Sequence, residues 1–199
     1  FKSYFQEAFK AEVKKLDDVS DKEQKLINEM NEQGIDLSAL VLKALSINFP
    51  GYKVFSAEEK IIHPVPDAVT EYNYKGFLDL VIKTPDGKYH IIDWKSCSWG
   101  WDMKRKTDRI VTYQLTYYKN FFCLKHNIDP KMVETHFGLL KRTAKKNRIE
   151  IFRVSSGEKK INNSLKVLNK AVYNIHNKNH PKNRLKCQKC DFNKTEWCP

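Results

Sequence analysis

Two apolar stretches in the middle of the chain, separated by a turn signal, have the pattern of neighbouring β-strands. Phe77 to Thr84 and Tyr89 to Lys95 are rich in β-branched and aromatic residues, and Pro85-Asp86-Gly87 stands between them. Proline suits the first central position of a type I turn, and glycine tolerates the left-handed conformation that closes it. The pattern therefore predicts a hairpin with a three-residue loop and a glycine bulge.

The hydrophobic pattern on either side of this hairpin predicts helices and further strands. Apolar residues recur at helical spacing from Ile110 to Cys123, and Ser155 and Glu158 have the spacing of a capping box before a long helix. The other predicted helices cover residues 1–15, 21–32 and 37–49, with Gly34 between the last two, and the other predicted strands cover 52–62, 136–141 and 148–154. Helices, a mixed sheet and a final helix packed on it indicate one α/β fold.

The predicted hairpin brings two acids together. A three-residue loop makes Thr84 face Lys88. Counting back from this pair places Asp79 opposite Asp93, and Lys95 follows on the same face. Carboxylates directly opposite one another lie roughly 5 Å apart and repel unless a cation compensates them, and Mg²⁺ or Mn²⁺ prefers such oxygen ligands. For an isolated Asp-x-Lys, solvated surface acids would be the simpler interpretation, but the apolar residues around both acids favour a shared site.

A third motif follows on the predicted helix. Gln114 and Tyr118 are four residues apart, so they share one helix face. Alone, the pair would be interpreted as a solvated amide and a half-buried aromatic ring. Each motif is weak by itself, and the order Gly-x-x-Asp, Asp-x-Lys, Gln-x-x-x-Tyr along the chain is the specific signal.

This order of motifs resembles the PD-(D/E)xK nuclease superfamily, specifically its RecB-like branch, which includes the RecB and AddB nuclease domains, CRISPR-associated adaptation nucleases and phage exonucleases. The resemblance covers residues 50 to 125 well, from before Gly76-Phe77-Leu78-Asp79 to beyond Tyr118. It implies a restriction-endonuclease-like mixed sheet flanked by helices. It also implies a metal-dependent DNA nuclease, an exonuclease of recombination, repair or phage DNA metabolism that acts on single strands or free ends.

The resemblance also implies a role for each residue of the motifs. Asp79, Asp93 and the backbone carbonyl of Trp94 would hold Mg²⁺ or Mn²⁺. Lys95 would orient the attacking water or stabilise the phosphate in the transition state. The glutamine and tyrosine of the helix would position the metal site or the DNA backbone. The metal would lower the pKa of a bound water and neutralise charge on the scissile phosphate.

The family contributes one more His or Glu from a helix ahead of the hairpin, and the sequence offers no clear match for it. Gln6 stands where the histidine would be, and Glu7 beside it is the preferred candidate. Glu29, Glu32 and Glu59 are the further candidates, although each of these acids is more often a solvated surface group.

The C-terminus holds a second constellation, Cys187-x2-Cys190-x7-Cys198. Five cysteines and the lack of a signal peptide predict a reducing, cytoplasmic compartment and argue against a disulfide scaffold. A Cys-x2-Cys pair with a third cysteine nearby indicates a metal or cluster site. We expect residues 1–180 to form the nuclease domain and residues 181–199 to form a cysteine knuckle packed on it.

The identity of this cysteine site stays open. In RecB-like nucleases three C-terminal cysteines join an N-terminal one around a 4Fe–4S cluster, but here the first cysteine of the chain is Cys97. Zinc held by the three thiolates and either His180 or His176 is one alternative. Unligated thiols are the other alternative, because only three of four ligands can be named.

The charge of the chain favours a nucleic-acid partner. Lys and Arg number 36 against 24 Asp and Glu, giving a net charge of +12 and a pI near 9.4, which attracts polyphosphate in a salt-sensitive way. A solvated lysine-rich surface would explain the total equally well, but not its position beside the predicted metal site. The basic cluster that follows the Asp-x-Lys strand, with tryptophans 94, 99 and 101 nearby, consists of Lys104, Arg105, Lys106 and Arg109.

Two function classes therefore remain in view. The first is the metal-dependent nuclease, and the second is an inactive nucleic-acid-binding module with a zinc or iron–sulfur knuckle. The missing upstream histidine keeps the second class open. No apolar run reaches 18 residues, so we expect no transmembrane span.

Overall fold

The computed structural model describes residues 2–69, 71–182, 187–188, 190–196 and 198. Its strands are β1 (Lys53–Pro64), β2 (Asn73–Lys83), β3 (Tyr89–Cys97), β4 (Val133–Lys141) and β5 (Ile149–Val154). Its helices are α1 (Lys2–Val13), α2 (Asp21–Asn48), α3 (Met103–Thr107), α4 (Arg109–His126) and α5 (Glu158–His176), with a 3₁₀ turn at Pro130–Met132. None of these helices is both long and apolar enough to cross a lipid bilayer.

The strands form one mixed sheet in the order β1-β2-β3-β4-β5. β3 and β4 are parallel and are connected through α4, whereas the other neighbouring strands pair antiparallel. A parallel pair needs a crossover connection, and α4 supplies it on one face of the sheet. The predicted α/β fold, a mixed sheet flanked by helices, is confirmed.

Helices cover both faces of the sheet. On one face, Leu45 of α2 and the C-cap residue Phe49 pack against Ile82 and Ile92. Fully burying one such side chain contributes about 1.5–3 kcal/mol. The opposite face packs against α4 and α5, and its fully buried residues include Leu78, Val81, Ile91, Leu115, Phe121, Phe122, Phe137 and Leu139.

The turn between β2 and β3 is the predicted one. The Gly87 amide donates to the Thr84 carbonyl at 2.9 Å, the Thr84 amide donates to the Lys88 carbonyl at 3.0 Å, and Gly87 has a φ of +83°. The two strands pair in register from Lys83 opposite Tyr89 to Leu80 opposite Ile92. The next pair in this register would be Asp79 with Asp93, but the ladder ends before it.

Two local predictions were wrong. Residues 21–49 are not two helices around Gly34, because α2 continues through it, beginning at a capping box of Ser20 and Glu23. A side chain at Gly34 would collide with the Phe5 ring of α1, and packing at this contact outweighs the roughly 1 kcal/mol propensity cost of glycine. The predicted capping box at Ser155 does not form, since Gly157 is the N-cap of α5 and makes no side-chain cap bond.

Candidate active site

The side chains of the three motifs meet where β2 and β3 stop pairing. The Trp94 amide donates to Asp79 Oδ2 at 2.7 Å, which replaces a backbone partner on β2. Lys95 Nζ lies 2.7 Å from Asp93 Oδ2. From α4, Gln114 Nε2 donates to Asp93 Oδ1 at 3.0 Å. The end of the hairpin and one face of α4 therefore enclose both acids and the lysine.

Asp93 is the buried centre of this group. Its residue surface is 1% exposed, whereas a third of the Lys95 side chain faces solvent. Burial raises the pKa of Asp93 to about 6; the hydrogen bond and charge of Lys95 oppose this, and the Asp79 charge adds to it. Asp93 Oδ2 is buried and has only the Lys95 ammonium beside it among the described residues. Two carboxylates next to one ammonium leave a negative charge that a divalent cation would balance.

α4 orients the Asp93 carboxylate through an amide clamp. Gln114 Nε2 donates to Tyr118 Oη as well as to Asp93, at 3.0 Å in each case. Both N–H groups of the amide are thereby used, and the spacing of four residues makes this geometry possible on one helix face. Leu115 beside the glutamine is fully buried in the core, so the packing of α4 fixes the direction of the clamp.

The glycine of the first motif has a steric role. A Cβ at Gly76 would lie 3.0 Å from the Tyr74 ring and 3.1 Å from Tyr118 Cε1. Tyr74 cannot easily move aside, because its ring stacks on Phe121 with centroids 4.1 Å apart. Gly76 therefore lets Tyr118 approach β2 closely enough to reach the clamp.

Replacing Gly76 with alanine should destabilise the protein by about 1–3 kcal/mol, the usual cost of overpacking a filled core. Urea unfolding followed by circular dichroism measures this change. Gly157→Ser is the matched control, since a Cβ there meets nothing within 4 Å and serine is a favoured N-cap. Equal stability of Gly76→Ala and wild type would contradict the proposed close packing.

None of the four candidate upstream acids is brought to this site in the described residues. Glu7, Glu29 and Glu32 are exposed, and no described contact joins them to Asp79 or Asp93. Glu59 lies 2.6 Å from Lys125 Nζ and 2.7 Å from His126 Nε2, at the far end of α4. Lys125 is eleven residues beyond the clamp glutamine, which corresponds to roughly 16 Å of helix.

Tyr74 is a neighbour of the site that the sequence motifs did not indicate. Burial raises its pKa strongly, and the nearby Tyr118, Tyr117 and Asp93 raise it further. Tyr74 lies in β2, two residues before the motif glycine, and this position is the sequence feature that could have indicated it as a neighbour of the site. Partly buried and stacked on Phe121, Tyr74 packs behind the clamp tyrosine.

The basic cluster divides into exposed and paired residues. Lys104, Arg105 and Arg109 are exposed, and the Arg105 guanidinium lies 4.5 Å from the centre of the Trp101 ring. Lys106 forms an ion pair with Glu150, a carboxylate that it shares with Lys141, and its side chain is only one-fifth exposed. Of the nearby tryptophans, Trp101 is buried against Phe137, Trp94 packs over Gly138, and Trp99 is 71% exposed.

The described residues of the cysteine motif lie mostly in turns. The Cys190 amide donates to the Cys187 carbonyl at 3.1 Å, and Cys198 pairs with Thr195 in an isolated bridge. Residues 183–186, 189, 197 and 199 lie outside the described residues. Within the described residues, the three thiols are not gathered within 4.8 Å of one another.

The fold and the motif geometry agree with the comparison to known families. The model of the PD-(D/E)XK nuclease superfamily matches residues 2–199, so this chain belongs to that superfamily. No curated protein sequence matches it significantly. The solved structure described as "Putative exonuclease" from Eubacterium rectale shares 14% identity at a TM-score of 0.54, covering 95% of this chain and 70% of that one. The structure of SSO0001 shares 16% identity at a TM-score of 0.48, covering 96% and 92% respectively.

Proposed function

We propose that this chain is a Mg²⁺- or Mn²⁺-dependent deoxyribonuclease that removes nucleotides from DNA ends. The observation that carries the proposal is the meeting of Asp79, Asp93 and Lys95 at the fork of the hairpin, the place where β2 and β3 stop pairing. The two acids and the Trp94 carbonyl form an all-oxygen ligand set, which suits these cations. Among the described residues, the buried Asp93 Oδ2 has no polar partner other than the Lys95 ammonium, so it fits a further cationic partner.

Each side chain has a defined task in phosphodiester hydrolysis. A bound metal ion supplies an activated water and neutralises the phosphate. Lys95, partly exposed beside Asp93, places a positive charge where negative charge builds up on the phosphate oxygens. Gln114 occupies Asp93 Oδ1, and Oδ2, which pairs with Lys95, is the oxygen that would also take the cation. Because Tyr118 Oη accepts from the amide, its own O–H is available to a phosphate oxygen.

The substrate preference is inferred from charge, exposed aromatic surface and family. Single-stranded DNA or a free DNA end would reach the fork past Lys104, Arg109 and the exposed Trp99, which provide cationic and stacking contacts. Action at ends is the proposal's own inference, and the fold likeness to the structure described as "Putative exonuclease" is consistent with it. Membership of the RecB-like branch, in recombination, repair or phage DNA metabolism, is part of the same proposal.

Metal removal tests the proposed function directly. End-labelled single- and double-stranded DNA should be degraded with Mg²⁺ or Mn²⁺ and stay intact with EDTA, and the label should appear first in mononucleotides or short fragments. Internal cuts without release from ends would contradict the exonuclease assignment. DNA binding without cleavage under any metal would instead favour the inactive binding module.

The exposed cations should contribute to DNA affinity unequally. Lys104→Gln should weaken binding evenly across sequences and reduce the slope of log affinity against log salt by about 1. Lys106→Gln, a change of the same charge two residues away, should have the smaller effect because Lys106 is largely buried and is held in an ion pair with Glu150, which it shares with Lys141. Fluorescence anisotropy with labelled single-stranded DNA at several salt concentrations measures the affinity of both variants. Equal slopes for the two variants would contradict the prediction that Lys104 contributes more to DNA binding than Lys106.

We further propose that residues 1–180 form the nuclease domain and that Cys187, Cys190 and Cys198 belong to a knuckle that binds a 4Fe–4S cluster, or zinc in its place. Anaerobic purification distinguishes the two occupants. A brown protein with broad visible absorbance supports the cluster. A colourless protein with stoichiometric zinc supports the alternative. A protein that contains neither the cluster nor zinc would contradict the proposed knuckle.

A further inference from the structure

Three side chains of metal-binding type meet on the opposite face of the sheet from Asp93. His90 comes from β3, and Glu134 and His136 come from the parallel strand β4. One ligand atom of each lies within 4.8 Å of the other two. His90 Nδ1 is 3.1 Å from His136 Nε2 and 3.9 Å from Glu134 Oε2. The parallel register produces this group, because it places His90 opposite Glu134 and His136 opposite Ile92.

Burial of the two imidazoles favours their neutral form. Both are buried, and the Phe49 ring at the end of α2 contacts them with centroids 4.7 Å and 5.1 Å away. Burial lowers the pKa of His90, and burial likewise lowers that of His136, to about 3. Neutral imidazole is the form that binds metal ions, so no proton has to be displaced from a charged ring at physiological pH.

A second layer of contacts directs the ligand atoms inward. Thr84 Oγ1 lies 3.1 Å from His90 Nε2, so an N–H at Nε2 can donate to it and leave the Nδ1 lone pair facing His136. Glu134 Oε1 is occupied by Lys88 Nζ and an Arg153 nitrogen, each at 3.5 Å. Its other oxygen, Oε2, is the one that faces His90.

The dimensions fit a small transition-metal ion with an open coordination position. Ligand nitrogens about 2.0–2.1 Å from a tetrahedral zinc ion lie roughly 3.3 Å apart, close to the observed 3.1 Å between the imidazoles. The group borders a cleft of about 640 Å³ that opens between the end of α2 and the turn after β2. Water in this cleft can complete the coordination.

We propose that His90, His136 and Glu134 bind a divalent transition-metal ion of the zinc type, in a site separate from the oxygen-ligand site at Asp79 and Asp93. Two imidazoles and one carboxylate select borderline ions such as Zn²⁺, whereas the carboxylate pair at the fork selects Mg²⁺ or Mn²⁺. The bound ion would link β3, the central strand of the sheet, to its parallel neighbour β4. This site does not depend on the proposed nuclease activity.

Titration with Co²⁺ tests the site and separates it from the cysteine motif. The full chain is stripped with a chelator, dialysed and titrated with Co²⁺ while visible and near-ultraviolet spectra are recorded. We expect one equivalent that produces d–d bands without the intense thiolate charge-transfer band that cysteine ligation gives. The same equivalent should raise the thermal unfolding midpoint, because it binds only the folded chain.

Variants decide whether the three side chains are the ligands. His90→Gln and Glu134→Gln should each weaken binding of this equivalent by at least about tenfold, since loss of an outer-shell contact alone costs about 10- to 100-fold. His126 contacts Glu59 and lies outside the proposed site, so His126→Gln should leave binding of this Co²⁺ equivalent unchanged. Unchanged Co²⁺ stoichiometry in folded His90→Gln and Glu134→Gln would overturn the proposal. So would a wild-type spectrum in which all bound Co²⁺ shows thiolate charge transfer, which would leave His90 and His136 as a hydrogen-bonded pair.

Discussion

Replacing Asp93 with asparagine should reduce DNA cleavage by at least about 10³-fold while the protein stays folded. The change removes a metal ligand and its charge but keeps the shape of the side chain. Losing one well-placed electrostatic contact in an active site commonly costs 10²–10³ in rate, and loss of the ion's charge-neutralising ligand should reach the upper end. Single-turnover cleavage of labelled DNA, at saturating Mg²⁺ and Mn²⁺, measures the effect.

Asp86→Asn is the matched control for this prediction. Asp86 lies in the turn of the same hairpin, is exposed, and undergoes the same change of charge and shape. Its variant should cleave at the wild-type rate. Lys95→Met should also lose at least about 10²-fold, because it removes the positive charge beside the phosphate. Wild-type activity of Asp93→Asn, with circular dichroism showing a folded protein, would refute the placement of the active site.

The hairpin was predictable because its signals are local. Pro85 and Gly87 define the turn, the turn fixes the register, and the register determines which residues approach Asp79. The order of motifs then indicated that α4 would return to the same end of the sheet. The sequence could not show that the ladder stops just before the two acids, since this depends on the Asp79 carboxylate replacing a backbone partner of Trp94.

Features that depend on contacts between distant segments were out of reach. The continuation of α2 through Gly34 depends on the Phe5 ring of another helix. The Glu59 side chain pairs with α4 rather than with the candidate site, and no local pattern indicates which of several acids a helix will engage. The group of His90 and His136 exists only because β3 and β4 are parallel neighbours separated by a helix.

The structure also explains why the site should cost stability. Burial raises the pKa of the Asp93 carboxyl to about 6, so ionising it at neutral pH costs free energy unless a cation is bound beside it. The same negative charge attracts a divalent cation. Binding of metal and stability of the fold should therefore be coupled through Asp93.

The stability of the metal-free protein should consequently fall relative to Asp93→Asn as pH rises from about 4 to about 6. The folded protein holds a proton on Asp93 up to pH 6, whereas the unfolded chain releases it near the ordinary pKa of 3.8. The folded state thus binds more protons in this window, and its stability decreases with rising pH. The difference between pKa values of 3.8 and about 6 corresponds to about 3 kcal/mol, which is fully lost above pH 6.

Urea unfolding of both proteins in EDTA, at several pH values from 4 to 8, measures this difference. Subtracting the variant removes the contributions of all other titrating groups that the two proteins share. Asp86→Asn keeps the Asp93 carboxyl, so its stability relative to Asp93→Asn should still fall over this pH range, and it serves as the control. Excess Mg²⁺ or Mn²⁺ should restore wild-type stability above pH 6, because the ion binds the ionised folded state. A stability difference that does not change with pH would mean that Asp93 ionises normally, and a metal effect equal in both proteins would mean that the ion binds elsewhere.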